Sequence, residues 1–103
     1  MASNYKFSPE HESKPLVAVQ GLGFVGGAMV AALATAKDEH GQAAFRVLGI
    51  DLSNKEGIAK INAVNNGLPP IVSNDTDMND AYKVAKREQN IVATSDINDV
   101  CDA

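Results

Sequence analysis

Leu16-Val17-Ala18-Val19-Gln20-Gly21-Leu22-Gly23-Phe24-Val25-Gly26 is the stretch that decides how this chain is read. An apolar run ends in a polar residue, three glycines follow at the spacing G-x-G-x-x-G, and an Ala-rich segment runs from Gly27 to about Lys37. The pattern predicts a strand, a tight turn and a helix, the unit in which a dinucleotide pyrophosphate can sit. Gly21 allows a backbone conformation that a Cβ would hinder, so the chain can turn sharply out of the strand. Gly23 lets the backbone approach the phosphates, and Gly26 lets the helix pack closely on the strand. The free N–H groups at the helix start then face the anion, with the macrodipole favouring negative charge. The three glycines alone would also suit a turn that binds nothing. The strand before them, the helix after them and an acid at the end of the next strand favour the dinucleotide.

That acid is Asp51, at the end of a predicted strand from Phe45 to Ile50. A carboxylate there can accept hydrogen bonds from the adenosine ribose of NAD and would repel the 2′-phosphate of NADP. It lies somewhat beyond the usual interval of about 20 residues from the glycines, and the polar connection Lys37 to Ala44 accounts for the excess. The alternative role is a helix N-cap, but Ser53 or Asn54 could cap instead and leave Asp51 free. His40, in the polar connection, reads as a solvated loop residue.

Length and charge narrow the classes. The 103 residues make one small domain or part of a larger one. A net charge of −4 with no basic run argues against a nucleic-acid surface. The single cysteine, Cys101, excludes an intrachain disulfide. No stretch reaches the ~18–20 apolar residues of a membrane helix, and the polar Met1 to Lys14 carries no apolar signal core. It reads as a loose tail ending at Pro15, and the cytoplasm is the expected compartment.

Further along, Leu16 to Val19 is unbroken apolar sequence, which suits a parallel strand covered on both faces. Met29, Leu33 and Ala36 are expected as the buried stripe of the first helix. A second helix is predicted from Lys55 to Asn65, with Ile58, Ile61 and Val64 or Asn65 inward, Gly57 weakening its first turn and Asn66-Gly67 ending it. A third is expected from an N-cap at Asn74, Asp75 or Thr76 through about Glu88, with Met78, Ala81, Tyr82 and Ala85 inward and Lys83, Lys86 and Arg87 solvated. Ile91, Val92 and Ala93 form the third strand, and Ile97 to Asp102 reads as a short turn or helix. The alternation predicts the first mononucleotide-binding half of a Rossmann-type doubly wound sheet, with strand order 3-2-1. Strand 1 would then be an open edge, so the chain reads as a truncated domain, marginal in stability and prone to self-association.

The chain resembles the N-terminal part of the nucleotide-sugar 6-dehydrogenases, which act on UDP-glucose, GDP-mannose and UDP-N-acetylmannosamine. Gly21-Leu22-Gly23-Phe24-Val25-Gly26 is similar to the family's GLG-aromatic-VG turn, and Gly49-Ile50-Asp51 to its GID strand end. Ile61-Asn62 with Asn66-Gly67-Leu68-Pro69-Pro70-Ile71 resembles its I-N-x-G-x-x-P-I segment. Ala93-Thr94-Ser95-Asp96, with Cys101-Asp102 downstream, resembles its A-T-x-D … A-D run. The likeness spans about Pro15 to Asp102, nearly the whole chain. It departs in a longer segment between Asp51 and Gly67, and in Val72-Ser73-Asn74 where an acid usually follows P-I.

The resemblance implies NAD as cofactor, held by Gly21, Leu22, Gly23, Phe24, Val25, Gly26 and Asp51, with Lys55 as the basic residue that meets it. It implies oxidation of a sugar C6 alcohol to a carboxylate in two hydride transfers, the second through a thiohemiacetal on a cysteine. That cysteine, a lysine and an asparagine or aspartate belong to later segments of the family, so no catalytic residue is assigned here and the chain alone is expected to be inactive. Cys101 matches the residue before the A-D aspartate and is not the nucleophile. The implied partners are a nucleotide-sugar substrate, reached through those later segments, and further copies of a homo-oligomeric parent. Two other readings are a β-hydroxyacid-type NAD dehydrogenase, which also begins with GLG, and a non-catalytic nucleotide-sensing domain. The Asn66 to Ile71 segment argues against the first.

Overall fold

The computed structural model describes residues 7–71 and 76–96. Three apolar runs become three parallel strands, β1 (Leu16–Gln20), β2 (Arg46–Ile50) and β3 (Ile91–Thr94). Their spatial order is β1-β2-β3, the 3-2-1 half-sheet the sequence predicts. Val17 lies opposite Val47, and Val47 opposite Ile91. Side chains alternate across a strand, so Val19, Val47, Ile91 and Ala93 fall on one face. There they form a single core with Val30, Ala31 and Ala34 of helix α1 (Phe24–Thr35), Ile61 and Val64 of α2 (Lys55–Asn65), and Tyr82 and Ala85 of α3 (Thr76–Glu88). Every residue of β3 is buried, which is why its sequence shows no polar alternation.

Helix α1 departs from its expected bounds and phase. It begins at Phe24, so the third motif glycine lies inside its first turn, and it ends at Thr35. The buried residues are Gly27, Val30, Ala31 and Ala34, while Met29 is 51% exposed and Leu33 is only partly buried. Ala36 is the C-cap. The segment is apolar on all sides, so periodicity could not choose its inward face. Tertiary contacts choose it: Tyr82 donates its hydroxyl to the Gly27 carbonyl at 2.6 Å, and Pro70 packs where a Gly27 side chain would stand.

Helix α2 has the predicted ends. Asn54 is its N-cap and accepts the Gly57 N–H at 2.8 Å. Gly57 does more than weaken the first turn, because a Cβ there would overlap the Leu52 carbonyl. At the other end Gly67 adopts φ 78°, with Gly67 N donating to Val64 O and Leu68 N to Ala63 O, the paired bonds of a Schellman stop. Ile58, expected inward, is 39% exposed, and Gly57 takes its place on the buried face. Asn65 is buried, with its side chain donating to Ala93 O at 2.8 Å and accepting from Ala93 N at 2.9 Å. The carboxamide thus pairs the outer edge of β3 as another strand would.

Helix α3 buries Tyr82 and Ala85 and packs Met78 and Ala81 against the core, as expected. Lys86, expected in a solvated face, reaches the Asn65 carbonyl at 2.8 Å. The expected caps Asn74 and Asp75 and the segment Ile97 to Asp102, with Cys101, lie outside the described residues.

Residues 7–14 of the expected tail are held on the body. Pro9–His11 forms one 3-10 turn. Ser8 N donates to Gln89 O, and buried His11 donates from Nε2 to Glu88 O, both at 2.8 Å. Lys14 meets Asp38 at 2.8 Å, and Arg46 Nε donates to the Lys14 carbonyl. Asp38 also accepts the His40 and Gln42 N–H groups, so one carboxylate orders the polar connection. His40 is exposed there, as its loop position predicts.

Two stability predictions follow from these contacts. Removing the buried hydroxyl in Tyr82→Phe should cost about 1 kcal/mol, read as a lower denaturation midpoint. Burial pushes the Tyr82 phenol up from 10.0 to about 12. A raised folded-state value means that stability is intact below pH 10 and is lost as pH rises from 10 to about 12. Melts between pH 9 and 12 should show this loss in the wild type, with the Tyr82 contribution absent from Tyr82→Phe.

Asp38 gives the opposite slope. The Lys14 ammonium first, then the Gln42 and His40 amides, lower its carboxyl from 3.8 to about 2. That contribution is present above 3.8 and is lost as pH falls through about 2. In acid melts, Asp38→Asn should flatten the decline between pH 4 and 2. An unchanged slope would show that the Lys14 contact is not formed in solution.

Candidate functional site

Because the strands are parallel, Gln20, Ile50 and Thr94 end at one edge of the sheet. The glycine turn leaves from that edge. Gly21 has φ 93° and donates its N–H to Ile50 O at 2.7 Å, so the chain turns while still tied to β2. Gly23 is the N-cap of α1 with no side-chain cap, and a Cβ built on it meets nothing within 4 Å. Open space therefore lies beside Gly23. The first intrahelical bond there runs from Gly27 N to Gly23 O, and the preceding N–H groups of the first turn have no intrahelical acceptor. Gly26 faces the opposite condition, since a Cβ on it would overlap the Gly21 carbonyl.

The remaining motif residues divide by burial. Leu22 has no exposed surface and stands over Gly49, so its side chain belongs to the core. Phe24 and Val25 are 74% and 78% exposed. Their side chains therefore point out of the fold at the helix start.

Asp51 follows β2 directly. Its Oδ2 accepts the Leu22 N–H at 2.8 Å and its Oδ1 accepts the Leu52 N–H at 2.7 Å. Asn54 caps α2, so Asp51 is not the cap. Burial alone would raise its pKa, but the two amide donors and the Lys60 charge together lower it. The group is an anion at neutral pH. A cavity of about 430 Å³ opens here, lined by Gln20, Gly21, Ile50, Asp51, Leu52, Ser53 and Ser95.

The structure therefore brings the glycine turn and Asp51 together. Lys55 is exposed at the first position of α2 and does not line the cavity. Gln20, Leu52, Ser53 and Ser95 also line the cavity, and no motif in the sequence marks them. The available signal was positional, since each lies at or just past the C-terminal end of a strand, where ligands bind in open α/β sheets. Leu52, 65% exposed, adds apolar surface to the cavity. A second cavity, of about 290 Å³, lies at the far end of the sheet between His11, Glu88 and Gly41–Ala43. Among the described residues no group of three His, Cys, Asp or Glu could hold a metal ion, and no helix is long and apolar enough to cross a membrane.

The donor set fits a dinucleotide. The helix start offers N–H groups and a positive dipole end to a pyrophosphate. The open side of Gly23 leaves room for it, and the Asp51 carboxylate can accept from a ribose diol.

No family model matches the chain, and no curated protein matches it. Among solved structures it is similar to GDP-mannose dehydrogenase from Pseudomonas aeruginosa, determined as a ternary complex, with a TM-score of 0.58 and 25% identity. The match covers 79% of this chain and 15% of that one. The fold is thus a Rossmann-type α/β fragment like that of a nucleotide-sugar dehydrogenase.

Proposed function

We propose that this chain is the NAD-binding portion of a nucleotide-sugar 6-dehydrogenase, which oxidises the C6 alcohol of a UDP- or GDP-sugar to a carboxylate in two hydride transfers. One observation carries the reading. The glycine turn and the Asp51 carboxylate share the C-terminal edge of a parallel sheet, 2.8 Å apart at Leu22 N and Asp51 Oδ2. The likeness to GDP-mannose dehydrogenase supports the substrate class. NAD supplies the hydride acceptor when bound. Gly21 and Leu22 shape the turn, Gly23 leaves open space for its pyrophosphate, and Gly23, Phe24, Val25 and Gly26 offer the first-turn N–H groups that have no intrahelical acceptor. Asp51 accepts from the adenosine ribose, Leu52 offers apolar surface to the base, and Lys55, four residues after Asp51, is the basic residue that would meet the cofactor. The sugar nucleotide, the nucleophilic cysteine and the subunit contacts of a homo-oligomeric parent fall to other segments, and a cytoplasmic location accords with the single cysteine.

Calorimetric titration with NAD and NADP tests this. Loss of a charge-assisted hydrogen bond costs about 1.5–3 kcal/mol, so Asp51→Asn should weaken NAD by about 10- to 100-fold and narrow the gap to NADP. Wild-type NAD affinity with NADP still excluded would remove Asp51 from the ribose site. Gly23→Val fills the open space beside the turn and should abolish NAD binding without a loss of fold by circular dichroism. Equal affinities of this variant and the wild type would remove the turn from the site.

A further inference from the structure

We infer that Asp51 is also a positioning residue for the glycine turn, acting through the hydrogen bond that its Oδ2 accepts from the Leu22 N–H. The inference rests on the dinucleotide reading above and adds a second task for the same side chain. Gly21 N donates to Ile50 O at 2.7 Å, and the next amide, Leu22 N, donates to the side chain of the next residue, Asp51, at 2.8 Å. The carboxylate thus prolongs the β1–β2 ladder one step past the strands. Local chain geometry does not require this bond. The Leu52 N–H alone would suffice for a turn at Asp51, whereas the Leu22 contact spans 29 residues of sequence.

Leu22 is fully buried, so its amide has no water to replace a lost acceptor. The residue it holds precedes Gly23, whose open side is where a pyrophosphate would approach. A carboxylate oxygen accepts more than one hydrogen bond. Asp51 can therefore keep both amides and still receive ribose hydroxyls, so a ligand need not break the latch to bind. An asparagine has one acceptor oxygen and one donor nitrogen. It can serve Leu22 or Leu52, but not both.

The test separates the two tasks with an NAD analogue whose adenosine ribose carries neither a 2′- nor a 3′-hydroxyl. Because asparagine can still offer its oxygen to Leu22, the variant is Asp51→Ala: if Asp51 served the ribose alone, Asp51→Ala would leave the affinity for this analogue unchanged, and that result would overturn the positioning role while leaving the ribose contact in place. We expect instead about a tenfold loss for the analogue, the size of one hydrogen bond, and a larger loss for NAD. A second measurement needs no variant and no ligand. In the isotopically labelled wild-type chain, a scalar coupling from Leu22 ¹⁵N to Asp51 ¹³Cγ and slowed exchange of the Leu22 amide are expected. Their joint absence overturns the latch even if NAD binds. If neither NAD nor the analogue binds the wild type, the dinucleotide reading fails, and the coupling alone decides whether Asp51 holds the turn.

Discussion

Helix α1 comes so near the turn it has left that a methyl group on Gly26 would overlap the Gly21 carbonyl. This approach sets how near the helix can come to the strand before the turn. With α1 at that distance, Gly27 lies under the Tyr82 hydroxyl and against Pro70. Val30, Ala31 and Ala34 then enter the core behind it. The same approach fixes the first turn of α1, whose amides have no intrahelical acceptor, just past the strand end that the glycine turn leaves. Any side chain at Gly26 would push the helix away and disturb both the core and the site.

Polar side chains finish what the short strands leave undone. Asn65 pairs both backbone groups of Ala93 on the outer side of β3. Asn90 donates to the Ala34 and Phe45 carbonyls where α1 and β2 meet the start of β3. Asp51 serves the Leu22 amide at the other end. Each replaces a backbone partner in a buried setting, where an unmade hydrogen bond costs about 1–3 kcal/mol. Truncating any of them should therefore hurt more than the bond's net contribution suggests. The Asn90 Oδ1 atom is buried and has no hydrogen-bond partner among the described residues.

The two poles of the sheet are used differently. At the N-terminal ends of the strands, residues 7–14 are fastened by His11, Lys14 and Arg46. At the C-terminal ends the chain leaves open space between the turn, Asp51 and Ser95. A parallel sheet gathers three strand ends with the same polarity at each pole, so one pole can be closed by packing while the other stays available to a ligand.

The sequence by itself determined the three parallel strands, their order, both ends of α2 and the inward residues of α3. Those features rest on local chemistry: apolar runs, a polar cap at Ser53 or Asn54, the Asn66-Gly67 stop and the amphipathic spacing of Met78, Ala81, Tyr82 and Ala85. It also singled out the turn and Asp51, because few side chains suit those positions. Only the tertiary structure decided which face of α1 turns inward, since a helix apolar on every side has no phase until Gly26 and Gly27 meet their neighbours. It decided that Gly57, not Ile58, faces inward at the start of α2, because the Leu52 carbonyl leaves no room there for a Cβ. It also decided what Asp51 touches. The Leu22 amide is 29 residues away along the chain, and no local pattern in the sequence records that meeting.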